Sequence, residues 1–297
     1  MLTDRDRRGS RRGFTLAEIT LALVLGALVL GLVSTIGNHL QQRLALQADR
    51  LAAHEQLSSA AEVLPIDLRA LSPNGGDIAL SEARDSSIQL RATIANAFVC
   101  AGTSTTLLLA PYLGPDGRSV AMTVQPGDTA WLFVDTDTGE VWRPVRLRAA
   151  RPALGGCSPP LDASGAKVFD LAHIWSVDLA DSTAAAVGAI ARIKRPMRFS
   201  FYHASDNHWY LGIRSWNSAT LQFNTIQPVS GPFASVSQGR GTRFQYFDDA
   251  GNRLSPTNVD IREIARIEAI LLSEPSPRSI AGPRDSLVVV VALRNRQ

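Results

Sequence analysis

Residues 14–37 read FTLAEITLALVLGALVLGLVSTIG, about 24 residues in which Glu18 is the one ionisable side chain. As an α-helix rising about 1.5 Å per residue, this stretch covers roughly 36 Å, enough to cross a hydrocarbon layer of about 30 Å. It is longer than the apolar core of a cleaved secretory signal and has no small-residue exit of the A-x-A kind. The carboxylate near its start is costly in hydrocarbon, about 2.5 to 3.5 kcal/mol at mid-span and less near an end. Something must offset that cost.

The preceding residues set the orientation. Residues 1–13 carry Arg5, Arg7, Arg8, Arg11 and Arg12 against Asp4 and Asp6, a balance that accounts for the whole formal charge of +3. Positive flanks stay cytoplasmic, so a single pass with the N-terminus inside is expected. The sequence pI of about 9.2 therefore belongs to this short arm and does not argue for a nucleic-acid-binding body. With 45% hydrophobic residues, the 297-residue chain lies outside the disordered class and has apolar content for a large core.

Gly13-Phe14-Thr15-Leu16-Ala17-Glu18, after a basic leader and before an apolar helix, resembles the prepilin cleavage and methylation motif of type IV pilin-like proteins. The resemblance implies that a prepilin peptidase cuts the Gly13–Phe14 bond and methylates the new amine on Phe14. It also implies that Glu18 meets such an amine during filament assembly. Charge chemistry agrees, because a carboxylate and an ammonium compensate each other in an apolar setting, within one helix or between subunits. The bland alternative is a single-pass anchor with an incidental glutamate.

Beyond the span, residues 38–70 keep Leu40, Leu44, Leu51, Ala52 and Leu57 near helical spacing, with charges interleaved. This predicts an amphipathic continuation packed on a sheet, ending near Val63 because Pro65 follows. After the turn signal Ser72-Pro73-Asn74-Gly75-Gly76, short β-rich runs dominate residues 71–297. Residues 129–135 with 140–148, and 198–202 with 208–214, read as hairpins; residues 243–247, 263–272 and 287–293 read as further strands. The expected class is α+β: a long N-terminal helix, membrane-spanning in its first half, on a mainly antiparallel domain. Phe244-Gln245-Tyr246-Phe247-Asp248-Asp249-Ala250-Gly251 is similar to the closing segment of W-type minor pilins and J-type pseudopilins of type II secretion. Glu18 argues against the K-type tip pseudopilin, whose pattern generally lacks it.

Other constellations carry less. The two cysteines, Cys100 and Cys157, exclude a four-thiolate metal centre and could close a disulfide outside the cytoplasm. Asp135-Thr136-Asp137-Thr138-Gly139-Glu140 begins like a calcium loop, but its glycine falls one place early and its twelfth position is Arg146, so a solvated turn is expected. His203 and His208 flank a turn without zinc-ligand spacing. Phe199, Phe201, Trp209 and Tyr210 fit a sheet core better than a stacking surface. The sequence contains no G-x-S-x-G, P-loop or dinucleotide fingerprint.

These readings predict a minor pilin or pseudopilin, not an enzyme, with no cofactor and no metal. Its expected partners are prepilin peptidase, other pilins or pseudopilins, the inner-membrane assembly platform and membrane lipid. Its expected place is the bacterial inner membrane, with a periplasmic C-terminal domain, and then a filament. A DNA-uptake or adhesive tip subunit, and a membrane-anchored enzyme, are the alternatives.

Overall fold

The computed structural model describes residues 15–72, 77–79, 83–113, 122–136, 139–157, 169–183, 185–236, 241–255, 260–275 and 285–293. A single long helix, α1 (Leu16–Leu68), opens it. Thirteen strands follow: β1 (Ser87–Gly102), β2 (Thr106–Pro111), β3 (Thr129–Thr136), β4 (Gly139–Ala153), β5 (Ile174–Leu179), β6 (Ile190–His203), β7 (Trp209–Asn217), β8 (Gln222–Phe223), β9 (Gln227–Phe233), β10 (Arg243–Phe247), β11 (Arg253–Leu254), β12 (Arg266–Leu272) and β13 (Ser286–Ala292). The α+β class expected from the sequence is present, with a long apolar helix first and antiparallel strands after it.

The chain divides into two units at Ala52/Ala53, inside α1. In the first, the apolar side chains are bare: Leu23, Leu30 and Ile36 are 68%, 68% and 66% exposed. Leu40, Leu44 and Leu51 are exposed as well. In the second unit the buried stripe of α1 begins at Leu57 and continues through Ala60, Leu64 and Leu68. The helix also runs past Pro65, where the sequence reading ended it near Val63. A proline inside a helix costs about 3 kcal/mol. Leu64 and Leu68, both fully buried, each return about 1.5–3 kcal/mol, and the Arg69 amide donates to the Pro65 carbonyl at 3.1 Å.

In the second unit that stripe shares a core with Ile88, Leu90, Phe199, Phe201, Leu211 and Phe233 of the large sheet. Phe244, Tyr246, Ile267, Ala269, Val289 and Val291 of a four-stranded sheet, ordered β11-β10-β12-β13, complete it. The hairpins β3–β4 and β6–β7 form as expected, while β10 pairs antiparallel with both β11 and β12, and β12 pairs antiparallel with β13. The strand expected from residue 263 begins at Arg266 instead, because Ile261–Glu263 form a 3₁₀ turn capped by Asp260, whose carboxylate accepts from the Arg262 amide.

The large sheet contains a feature that sequence patterning did not reveal. Its path runs β1-β2-β5-β4-β3-β6, and β6 pairs back to β1, so six strands close on themselves as a barrel. Residues at alternate positions face inward: Ala95, Ala97 and Val99; Leu107 and Leu109; Ala130, Leu132 and Val134; Val145 and Leu147; Val177 and Leu179; Ala191 and Ile193. Strand β1 serves both layers, pairing β6 over most of its length and β2 at its end, with a bulge between Thr93 and Ala95 near the transition.

Candidate functional site

The first turn of α1 is where the sequence places its chemistry. Thr15 caps the helix, and its hydroxyl accepts from the Glu18 amide at 3.3 Å. In return, Glu18 Oε2 accepts from the Thr15 amide at 2.9 Å and from the Thr15 hydroxyl at 3.1 Å. This is a capping box, T-x-x-E, which satisfies two backbone donors that a helix otherwise leaves unpaired. The acid also faces the positive end of the helix dipole. Sequence reasoning treated Glu18 as a membrane cost and as a charge partner in assembly, and missed the Thr15–Glu18 spacing that signals the cap. Farther along, the Thr20 and Thr35 hydroxyls donate to the carbonyls of Ala17 and Gly31 at 2.9 and 2.8 Å. Both polar groups are thereby satisfied within the helix, as a hydrocarbon setting requires.

The helix is long and apolar enough to cross a membrane, and none of its most apolar stretch is buried. Gly13 and Phe14, the expected cleavage and methylation positions, lie outside the described residues. Compared with family models, curated proteins and solved structures, the chain matches none. The reading of this site therefore rests on its own residues.

The remaining sequence candidates are scattered. Cys100 in β1 and Cys157 after β4 are placed as a disulfide-bonded pair with Cα atoms 5.2 Å apart, beside Ala110, Phe169 and Ile174 on the outside of the barrel. The calcium-like stretch falls on the β3–β4 turn, where the side chains of residues 135–138 and 140 lie outside the description. His208 Nδ1 meets Glu274 Oε2 at 2.7 Å, while the His203 ring packs edge-on to Trp209 at 5.4 Å. No group of three potential metal ligands occurs among the described residues. Phe199 and Phe201 are core residues, whereas Trp209 and Tyr210 are half-buried. The Tyr210 hydroxyl donates to Asp206 at 2.8 Å, which, with the His208 amide, holds that carboxyl below its usual range.

Two buried ion pairs went unseen in the sequence. Lys194 Nζ, almost fully buried, donates to Asp77 Oδ2 at 2.6 Å and lies 4.4 Å from the Trp131 ring centre. Asp77 Oδ2 also accepts from the Ser72 amide at 2.8 Å, tying the segment after α1 to the barrel wall. One residue on, Arg195 reaches both oxygens of Asp128 through Nε and Nη2 at 2.8 and 2.9 Å, a side-on fork to a fully buried carboxylate. A faint signal existed: Lys194 is one of only two lysines and interrupts a strand pattern.

Proposed function

We propose that this chain is a type IV pilin-like subunit, a minor pilin or a secretion pseudopilin, processed at Gly13–Phe14 and assembled through the apolar half of α1. The single observation carrying the reading is the bare apolar stretch of α1 up to residue 37, whose first turn holds the one carboxylate of that stretch, directly after Gly13-Phe14 in the sequence. Side chains as exposed as these need a non-aqueous partner, and a row of other such helices or lipid supplies one. The β-rich unit is then carried on the far side of the inner membrane. Removal of the leader creates an ammonium on Phe14, and Glu18 of a neighbouring subunit is its counter-charge. On this reading the chain is the substrate of the peptidase that removes its leader.

The capping box favours a second reading, in which Glu18 serves the helix end alone and α1 is a plain anchor. Mass analysis of the N-terminus of membrane-derived protein tests the first reading. A start at methylated Phe14 is expected, and an intact Met1 terminus overturns it. Glu18→Gln separates the roles, because glutamine serves in a capping box but carries no charge. Cleavage with failed filament incorporation is expected; normal incorporation leaves the anchor reading standing.

A further inference from the structure

Strand β6 changes partners along one edge: residues 191–194 pair with β3, and residues 197–203 pair with β7. Pro196, which has no amide hydrogen to give, sits at the change. A cavity of about 400 Å³ opens there, between barrel and sheet, lined by Gln89 and Arg91 of β1, Arg146 of β4, Trp216 of β7, Pro196 and Ile78. Its size lies within the range of small-molecule sites, and junctions between layers are where such sites form.

The lining has a definite chemistry. Asp77 also borders the cavity, but its charge is already matched by Lys194. Arg146 is exposed and makes no ion pair among the described residues, so an unmatched positive charge stands at the wall. Trp216 Nε1 is a donor without a partner, held against Gly127, where an added Cβ would lie 2.7 Å away. Gly127 has φ +89°, so backbone and space both favour glycine at the position that seats the indole.

The geometry points to a binding site for a hydroxylated ring bearing an anionic head, a sugar acid or a sugar phosphate. The Arg146 guanidinium takes the head; a carboxylate and a phosphate both match its forked donors. The Gln89 amide meets hydroxyls, and Ile78, Pro196 and the Trp216 indole provide the apolar wall for the ring carbons. This site does not depend on the filament reading.

The test uses the full chain in detergent micelles and saturation-transfer NMR with glucuronate, glucose 6-phosphate and uncharged glucose, with empty micelles as blank. Either acid is expected to bind with Kd no weaker than about 1 mM, and glucose about tenfold or more weaker. Binding of one acid alone identifies the head group, carboxylate or phosphate. Arg146→Gln and Arg146→Glu, each checked to melt like the parent, are expected to weaken the acid about tenfold or more, and Trp216→Phe to weaken it less. Failure of both acids to bind, glucose binding as tightly as they do, or unchanged binding in both Arg146 variants overturns the proposal.

Discussion

The apolar half of α1 and the six-stranded barrel solve the same problem in opposite ways. The helix leaves Leu23, Leu30 and Ile36 about two-thirds exposed, while the barrel turns Ala97, Leu109, Leu132, Val177 and Ile193 inward to less than 2% exposure. One element satisfies its backbone locally and leaves its side chains to an outside partner; the other meets both needs by closing on itself. A surface that needs a partner points to function, and a closed one points to scaffold. Mutations should therefore separate cleanly, with barrel changes costing stability and helix changes costing assembly.

The largest stability effect is expected at the barrel wall. Lys194→Met leaves Asp77 buried and charged without its partner, a loss of about 3–5 kcal/mol, read by urea unfolding of the full chain in detergent. Adding Asp77→Leu removes the stranded charge and should recover much of that loss, as two apolar groups can replace a buried pair at little cost. Recovery absent from the double variant would mean that the Ser72–Asp77 contact, and not the charge pair, holds the segment.

Next in size is the pair Cys100–Cys157, which spans 57 positions. In the chain-entropy account, closing such a loop stabilises by about 4 kcal/mol. Intact mass of the unreduced, alkylated chain should lack both alkyl groups, and Cys157→Ser should lower the unfolding midpoint. Two alkyl additions without reduction would mean that the barrel stands without a covalent tie.

A pH test distinguishes the second core. Tyr246 is fully buried between the two sheets and donates to the Arg84 carbonyl at 2.8 Å; burial, helped by Asp85, holds its phenol well above the usual range. The folded state keeps this proton after the unfolded chain has lost it. The stability from this group is thus intact below pH of about 10 and falls as pH rises above that, until the folded phenol itself ionises. Tyr246→Phe should be less stable at neutral pH by about 1 kcal/mol, and its alkaline limb should be flatter. An equally steep limb would place the alkaline sensitivity elsewhere.

How much could be read from the sequence follows the same contrast. An apolar run such as residues 19–33 is a local signal, and so are the turns at Asp206-Asn207 and Asp248–Gly251 that set two expected hairpins. The barrel was illegible because its closure is not local: Thr93 pairs with Lys194, and Lys194 with an aspartate 117 positions away. Alternation marks a strand without naming its neighbour. The end of α1 was misplaced for a related reason, since Pro65 is a local stop overridden by burial of Leu64 and Leu68. At the candidate site the acid was found but only half understood, because its cost in hydrocarbon drew attention from the threonine three residues before it.

The smallest expected effect bears on that omission. Thr15→Ala removes the hydroxyl that accepts from the Glu18 amide, and such caps are worth about 1 kcal/mol. The carboxylate and its charge remain, and the Thr15 position keeps the amide that donates to Glu18 Oε2 at 2.9 Å. If Glu18 acts through charge on a neighbouring subunit, Thr15→Ala should fray the first turn, seen as faster amide exchange at residues 16–18, yet still enter filaments. If the cap is the whole role of Glu18, Thr15→Ala and Glu18→Ala should fail alike, because each opens one side of the same reciprocal bond. Equal failure would transfer the importance of this turn from assembly to helix geometry, and the bare half of α1 would then need nothing more specific than lipid.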